Sequence, residues 1–459
     1  MNWRLLANSL VVSAFTTLLA CGFGFCTAVC LSALRDRLRK TALFISVLAL
    51  MLPPFLATNC WIHLLGATGI WRGWLPLNIY SLPGVIWILA LMHWPITSLL
   101  VLGAWQKLER AYFEADPALR GVSLIRWLLF PSARPALAQA ALITFVLALN
   151  HFGVPAILQV KVFPAEIWLR LSTQLDSPGA WAMSAPLIAI SFCGLLLLRT
   201  RRKDIAWPAR EGPAPASTIR MQLGPLFWCC SAITTFVIVF SVGVPLAQIA
   251  LDAKAWLELP AVFSATAASL RISLLYAVSA ATACAILAAT LWRWRFGWSA
   301  WLLFLTPGVL ISTSLIPIFN RRGLDAIYHS AAIVIIALTA RFLALNWHAA
   351  RTAMLRVDRD ILDAVRLETG SRWQTFRTAY WPQTATTFAA AWFITYLFCL
   401  WEVETIIMIY PPGGETLALR IFNLLHYGHI AQVNALCLLL LGLAVLPLLP
   451  WAFVRTNPR

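Results

Sequence analysis

Long apolar runs recur from one end of the chain to the other, and each is long enough to cross a lipid bilayer. A membrane-spanning helix needs about 20 predominantly apolar residues. The sequence predicts such spans at residues 7–34, 41–65, 82–104, 135–160, 181–198, 223–250, 264–291, 298–318, 328–348, 384–409 and 431–453. The short alternating strands of a membrane β-barrel are not apparent in the sequence. The sequence therefore predicts an all-α polytopic membrane protein with about 11 transmembrane helices.

Positive charge is concentrated in alternate loops between these spans. The chain has 35 Lys and Arg residues against 18 Asp and Glu residues, a net charge of +17. Dense basic stretches include "RDRLRK" at 35–40 and the loop after residue 198. The positive-inside rule makes these loops cytoplasmic, with the N-terminus outside and the C-terminus inside. The excess charge thus sets membrane topology, and the sequence predicts a lipid bilayer as its surroundings and no nucleic-acid partner.

Two polar loops on the cytoplasmic side repeat one another. "EADPALRGVSLIRWLLFP" at 114–131 matches "DAVRLETGSRWQTFRTAYWP" at 363–382. Each begins with an acid and Ala, has Gly seven residues after the acid, and ends at a proline before a span. Pro53 and Pro307 also correspond, again about 250 residues apart. The first five spans therefore match the last five, and the odd bridging span makes the two repeats parallel.

This repeat divides the chain into four parts. The predicted parts are a first transmembrane half at 1–198, with its loop at about 105–134; a linker at 199–222; a bridging helix and outer loop at 223–262; and a second transmembrane half at 263–459, with its loop at about 349–383. The linker is rich in Pro, Ala and Arg, a composition typical of a flexible connection.

The second cytoplasmic loop is predicted to form two short helices. Gly370 can end the first helix. Trp373, Phe376 and Tyr380 then follow at helical spacing and form an aromatic stripe, and Pro382 marks the start of the next span. One interpretation is a helix lying on lipid headgroups. The presence of two copies at matching positions favours docking sites for a partner that binds as a symmetric pair.

These loops resemble the EAA loops of ABC importer permeases, whose coupling helix sits in a groove of the ATPase subunit. "NHFGVPAIL" at 150–158 and "WEVETIIMIYPPGGETLALRIFNLLHYG" at 401–428 resemble the matching segments of fused permeases of the ferric-iron and thiamine type. The resemblance implies the type I importer permease fold. In both loops the glycine comes one residue later than is usual in that family. The resemblance implies a set of ATPase-coupling positions, to which Trp373 and Phe376 of the aromatic stripe are added. The whole set is Glu114, Ala115, Gly121, Pro131, Asp363, Ala364, Gly370, Trp373, Phe376 and Pro382.

The resemblance also implies a function and partners. The chain would form the translocation pathway in a bacterial cytoplasmic membrane, with two copies of an ATPase subunit inside and a substrate-binding protein outside. The implied substrate is ferric iron, thiamine or a similar small solute. No P-loop motif G-x-x-x-x-G-K-[ST] occurs in the sequence. The chain is therefore predicted not to be an enzyme and to hold no cofactor or metal, with ATP hydrolysed by a separate chain.

Glu402 and Glu404 fall inside the predicted tenth span, and intramembrane carboxylates are costly and usually functional. Asn150 is the polar counterpart of Glu402 in the first half. One interpretation assigns these residues to the translocation pathway or to a contact between the halves. Another is a structural carboxylate paired with a cation such as Arg271. The alternative function, an ion-coupled secondary transporter, would predict discontinuous spans and buried ion ligands in both halves, yet the carboxylates occur in one.

Overall fold

The computed structural model describes residues 3–74, 77–106, 108, 110–114, 116, 119–174, 177–200, 215–293, 298–369, 371–427 and 430–448, and its regular elements in these ranges are helices. Up to residue 251 the α-helices are Trp3–Ala33, Asp36–Met51, Pro54–Leu65, Leu82–Trp105, Arg110–Glu114, Val122–Leu124, Phe130–Leu149, Gly153–Ile157, Phe163–Gln174, Ser177–Thr200, Ala216–Leu223, Leu226–Ile238 and Val244–Leu251. Beyond it they are Ala253–Leu291, Trp298–Leu305, Gly308–Phe319, Asp325–Tyr328, Ala331–Leu355, Arg359–Thr369, Arg372–Thr375, Trp381–Trp401, Leu417–Tyr427 and Ile430–Val445.

The predicted all-α polytopic architecture is confirmed, whereas the number of spans is not fixed at 11. Among the described residues, 7 helices are long and apolar enough to cross a membrane, or up to 9 if each of two bent helix pairs counts as one span. Two shorter apolar helices, at Pro178–Gly194 and Gln432–Leu448, lie at the predicted fifth and last spans.

The second predicted span of each half, at 41–65 and 298–318, is built from two helices that meet at a sharp bend. Helices Asp36–Met51 and Pro54–Leu65 meet at a bend of 89°, and the helices on either side of Pro307 meet at 112°. In both pairs a proline, Pro53 or Pro307, is the N-cap of the second helix. Proline disfavours helical backbone in the residue before it and lacks an N–H, so the chain breaks there and begins a new helix.

Two further predicted spans end early. The helix predicted at 135–160 ends at Leu149, and the helix predicted at 384–409 ends at Trp401. Glu402 and Glu404 therefore lie just after a helix rather than within one. Glu402 has extended backbone dihedral angles, and turns follow it until the helix Leu417–Tyr427 begins. Asn150 occupies the corresponding C-cap position after Leu149.

A π-helical turn precedes each of the two loop-closing prolines. The turns are Ile125–Leu129 and Phe376–Tyr380, and in each case the next N–H bonds to the carbonyl five residues before it. A proline ring clashes with the carbonyl four residues earlier in a regular α-helix, and the wider turn relieves this clash. Helical backbone thus begins well before Pro131 and Pro382, at Val122 and Arg372. The helical backbone that leads into these spans therefore begins about two and a half to three turns before the prolines, rather than at them.

The chain separates into two compact units. One comprises Met1–Leu169 and Ala189–Leu257, and the other comprises Arg170–Ile188 and Glu258–Arg459. In the first unit the helices Trp3–Ala33 and Leu82–Trp105 pack so closely that a Cβ on Gly24 would lie 2.5 Å from the Trp94 carbonyl oxygen. In the second unit the helices Ala331–Leu355 and Trp381–Trp401 pack together. The domain boundaries of the sequence analysis remain a prediction.

Candidate functional site

A buried cluster of three charged side chains lies in the second unit. Arg341 projects from the helix Ala331–Leu355 and bonds to two carboxylates that follow the end of the helix Trp381–Trp401. Its Nη1 lies 2.9 Å from Glu402 Oε1, and its Nη2 lies 2.8 Å from Glu404 Oε2. The side chains of Arg341, Glu402 and Glu404 are 10%, 9% and 7% exposed. The guanidinium group thus holds the two carboxylates from separate nitrogens, an arrangement that suits the rigid fork of arginine.

Threonine and serine hydroxyls complete the cluster. The N–H and Oγ1 of Thr405 donate to Glu402 Oε1 at 2.8 and 3.0 Å, and Arg341 Nη1 donates to Thr405 Oγ1 at 2.7 Å. Ser312, on the helix Gly308–Phe319, donates to the Thr405 carbonyl oxygen. The cluster therefore connects the bent second helix pair of this half, the helix carrying Arg341, and the turn after Trp401.

Gly308 leaves the space that the guanidinium group occupies. A Cβ at this position would lie 1.7 Å from Arg341 Nη1 and 2.4 Å from Thr405 Oγ1. Only a residue without a side chain allows Arg341 to reach both carboxylates along this path. The ion cluster therefore depends on the glycine that directly follows the helix break.

The cluster has more carboxylates than cations. Two carboxylates face one guanidinium group, so full ionisation would bury one net negative charge, which is costly in an apolar interior. Glu404 Oε1 is buried, and the hydrogen bond from Arg341 Nη2 goes to the other oxygen of this carboxylate, Oε2. The same part of the chain contains no group of three His, Cys, Asp or Glu side chains that could hold a metal ion.

The cation that pairs with the carboxylates is Arg341 and not Arg271. Arg271 is exposed on the helix Ala253–Leu291. Both arginines lie in or beside predicted spans, so the sequence could not decide between them by composition. Glu404 and Arg341 are separated by 63 positions in the chain, and only folding brings them together.

In each unit, one serine hydroxyl accepts a hydrogen bond from the first residue of a helix that comes after Leu149 or Trp401. The Phe163 N–H donates to Ser9 Oγ at 2.8 Å, and the Leu417 N–H donates to Ser273 Oγ at the same distance. Phe163 and Leu417 are the first residues of the helices Phe163–Gln174 and Leu417–Tyr427. The first N–H groups of a helix have no partner within it, so each hydroxyl satisfies one of them from a distant helix. These contacts occur twice, and the sequence analysis did not find them.

The first unit has no counterpart of the ion cluster at Asn150. Asn150 is buried at the end of the helix Phe130–Leu149, where the second unit has Glu402. His151 and Phe152 follow it, and Phe152 packs against Trp168 with ring centroids 5.4 Å apart. The two polar positions therefore correspond in backbone location and differ in charge.

The second cytoplasmic loop exposes apolar side chains. On the helix Arg359–Thr369, Leu367 is 90% exposed and Ile361 is 46% exposed. Trp373 is 69% exposed, and its ring stacks on Phe376 at 5.8 Å. Asp363 and Ala364 are also exposed. The predicted second short helix is not separate, because Arg372–Thr375 continues through the π turn into the helix Trp381–Trp401.

The first cytoplasmic loop is held more closely against its unit. Glu114 is exposed and pairs with Arg110 one turn earlier. Gly121 has a positive φ of 56°, which suits a residue without a Cβ. Phe113, in contrast, is 1% exposed within a core that also contains Leu124 and Leu223. Two of the predicted coupling residues, Ala115 and Gly370, lie outside the described residues.

Comparison with known proteins identifies similar permeases. The chain is 23% identical over 457 aligned residues, covering 91% of its length and 72% of the relative, to the putative ferric transport system permease protein FbpB 1 of Haemophilus influenzae. It is 28% identical, over 42% of its length and 72% of the relative, to a probable molybdenum ABC transporter permease of Haloferax volcanii. It is 27% identical, over 30% of its length and 52% of the relative, to a putative 2-aminoethylphosphonate transport system permease of Salmonella paratyphi A. No family model matches the chain.

The predicted resemblance to ABC importer permeases is confirmed. A general permease role follows, since the alignment with the Haemophilus influenzae protein extends over both repeats. A multi-pass membrane location agrees with the apolar helices. Permease subunits of this kind are not themselves enzymes, and in general they work with an ATPase and a substrate-binding protein.

Proposed function

We propose that this chain is the permease subunit of an ATP-driven importer in a bacterial cytoplasmic membrane, with its N-terminus outside and its C-terminus inside. Two ATPase copies would dock on the cytoplasmic loops, and a substrate-binding protein would deliver solute from outside. The halves would then be residues 1–198 and 263–459, joined by the linker 199–222 and the bridging segment 223–262. Each half would transmit motion from one ATPase subunit.

The observation that carries this proposal is the exposed apolar surface of the second loop. Leu367 and Trp373 are 90% and 69% exposed in the polar segment between the helices Ala331–Leu355 and Trp381–Trp401. Exposed apolar side chains of this size in a polar loop mark an interaction surface. The helix Arg359–Thr369 also carries three acidic and two basic side chains, so its polar face suits water rather than lipid tails. A structured loop of this kind supports docking into a groove of another protein.

The coupling role is proposed for the whole predicted set. In the first loop it comprises Glu114, Ala115, Gly121 and Pro131; in the second it comprises Asp363, Ala364, Gly370, Trp373, Phe376 and Pro382. Asn150, Glu402 and Glu404 are proposed as polar elements of the translocation pathway or of a contact between the halves. The substrate is proposed to be ferric iron, thiamine or a similar small solute, and the named relatives add molybdenum and 2-aminoethylphosphonate transport to the range to be tested.

The second candidate function, an ion-coupled secondary transporter, has one observation in its favour. Helices are interrupted at Pro53 and Pro307, which are matching positions of the two halves. Such transporters also need buried ion ligands. In the described residues the buried carboxylates Glu402 and Glu404 occur in one unit, and both are held by an arginine. The similarity to ABC importer permeases therefore favours the importer.

The test is purification of the tagged chain from its native membrane in mild detergent, followed by native mass spectrometry. Two copies of a P-loop ATPase per chain are expected. Trp373→Ala should reduce the ATPase recovered by at least about tenfold, because a tryptophan at the centre of an interface commonly contributes 2 kcal/mol or more. Trp74→Ala is the matched control, since Trp74 is 90% exposed in a loop predicted to lie outside. A chain that purifies without any ATPase would overturn the proposal.

A further inference from the structure

Gln222 bonds to both ends of the first cytoplasmic loop. It lies on the helix Ala216–Leu223, which follows the predicted linker. Its side-chain Nε2 donates to the Phe113 carbonyl oxygen at 2.6 Å, and its backbone carbonyl oxygen accepts from the Gly121 N–H at 2.7 Å. The loop between Phe113 and Gly121 is therefore closed by a residue about 100 positions further along the chain.

The contact is buried among apolar side chains. Ile219 and Leu223, on either side of Gln222, share a core with Phe113 and Leu124. Gln222 is 9% exposed, so water does not compete freely for its amide. In this environment the loss of the side-chain donor would leave the Phe113 carbonyl oxygen buried without that bond, which is costly because water cannot replace the donor there.

The second loop is held differently. Gln383, on the membrane helix Trp381–Trp401, accepts from the Asp358 N–H at 3.0 Å and donates to the Ala379 carbonyl oxygen at 2.9 Å. Both Gln383 and Asp358 are exposed. The second loop is thus tied to the membrane helix that directly follows it, whereas the first is tied to a helix that leads into the bridging span.

We propose that Gln222 is a positioning residue that makes the two coupling loops mechanically unequal. Motion of the first loop would move the helix that directly follows that loop. It would also move the helix Ala216–Leu223 and, through Gly224 and Pro225, the next helix Leu226–Ile238. Motion of the second loop would move its own membrane helix. This inference rests on the proposed function for its source of motion and on the hydrogen bonds of Gln222 for its path.

The first test measures amide hydrogen exchange of the purified full chain without ATPase. Gln222→Met keeps the length of the side chain and removes the N–H donor. Exchange in the peptide covering residues 110–124 should become about tenfold faster, which corresponds to 1.4 kcal/mol. Met221→Ala is the matched control, because Met221 is the neighbouring residue and is 76% exposed. Unchanged exchange in Gln222→Met would overturn the inference.

The second test uses the complex with ATPase in proteoliposomes and counts ATP hydrolysed per solute transported. Gln222→Met should raise this ratio several-fold while the chain still binds ATPase, and Met221→Ala should not change it. A purely structural role would lower the yield and leave the ratio constant, which would contradict the inference. If Gln222→Met does not fold, Gln222→Leu replaces it, since that side chain is also apolar and lacks the donor. Failure of the unmodified chain to bind ATPase would refute the proposed function, whereas the exchange measurement would still decide whether Gln222 holds the loop.

Discussion

Replacement of Arg341 by methionine tests whether the buried cluster holds the second unit together. Arg341→Met fills much of the same space and removes the hydrogen bonds to Glu402, Glu404 and Thr405. It leaves two carboxylates buried without their cation. Breaking a buried ion pair by removing one partner costs about 3–5 kcal/mol, because an uncompensated charge remains in the interior. We expect the free energy of unfolding to fall by that amount.

A neutral version of the cluster separates charge from packing. In Arg341→Met/Glu402→Gln/Glu404→Gln no charge remains to be compensated, and buried ion pairs are often replaced by uncharged groups at little net cost. This triple variant should lie within about 1 kcal/mol of the unmodified chain.

The assay is equilibrium unfolding in mixed micelles, with SDS as the denaturant. Arg271→Met is the matched control, since Arg271 is exposed on a neighbouring helix, and it should change stability by less than about 0.5 kcal/mol. A loss below about 1 kcal/mol for Arg341→Met, or a triple variant no more stable than the single one, would refute the reasoning.

Transport by the triple variant then decides between the two interpretations of Glu402 and Glu404. If the variant is stable and transports solute at the normal rate, the carboxylates are structural. If it is stable and inactive, the proposed role in the translocation pathway or in a contact between the halves is supported. The comparison requires the stability measurement, because an unstable variant would lose transport for either reason.

Three further predictions concern single side chains. Gly308→Ala should lower the free energy of unfolding by at least about 3 kcal/mol, because its Cβ would lie 1.7 Å from Arg341 Nη1. In a double-mutant cycle, adding Gly308→Ala to Arg341→Met should cost little more, because the two residues share one interaction. Ser9→Ala and Ser273→Ala should each lower the free energy of unfolding by about 1–2 kcal/mol in the same assay. Ser13→Ala is the control and should cost less, because it loses only a bond to the Ser9 carbonyl oxygen in its own helix. Gly121→Ala should cost about 1–2 kcal/mol because φ is +56° there, and a loss below 0.5 kcal/mol would contradict this.

Apolar length predicted much of the fold from the sequence. The helix Leu82–Trp105 matches its predicted span closely because its sequence is apolar throughout and starts with a serine cap at Ser81. The helix ends were predicted wrongly in segments where the prediction rested on hydropathy alone. Residues 402–409 are apolar enough to extend a helix, yet the chain turns there because the Thr405 N–H donates to Glu402 Oε1, which also accepts from Arg341 Nη1.

The candidate site was predicted in part, for a related reason. Sequence pattern found Trp373 and Phe376 on one aromatic stripe, since spacing along one helix determines which side chains share a face. It could not find the partner of Glu404, the bond from Leu417 to Ser273 or the bond from Gln222 to Phe113. Each of these contacts joins residues more than 60 positions apart, and hydropathy carries no information about which distant polar groups meet.

The two π turns bear on how such a chain arose. If the two halves descend from one duplicated gene, the π turns before Pro131 and Pro382 are a backbone feature that both copies have kept. The polar position after the matching membrane helix has diverged, with Asn150 in one copy and Glu402 in the other. On that view the two copies share the turn that shapes the backbone, while the carboxylate occurs in one of them.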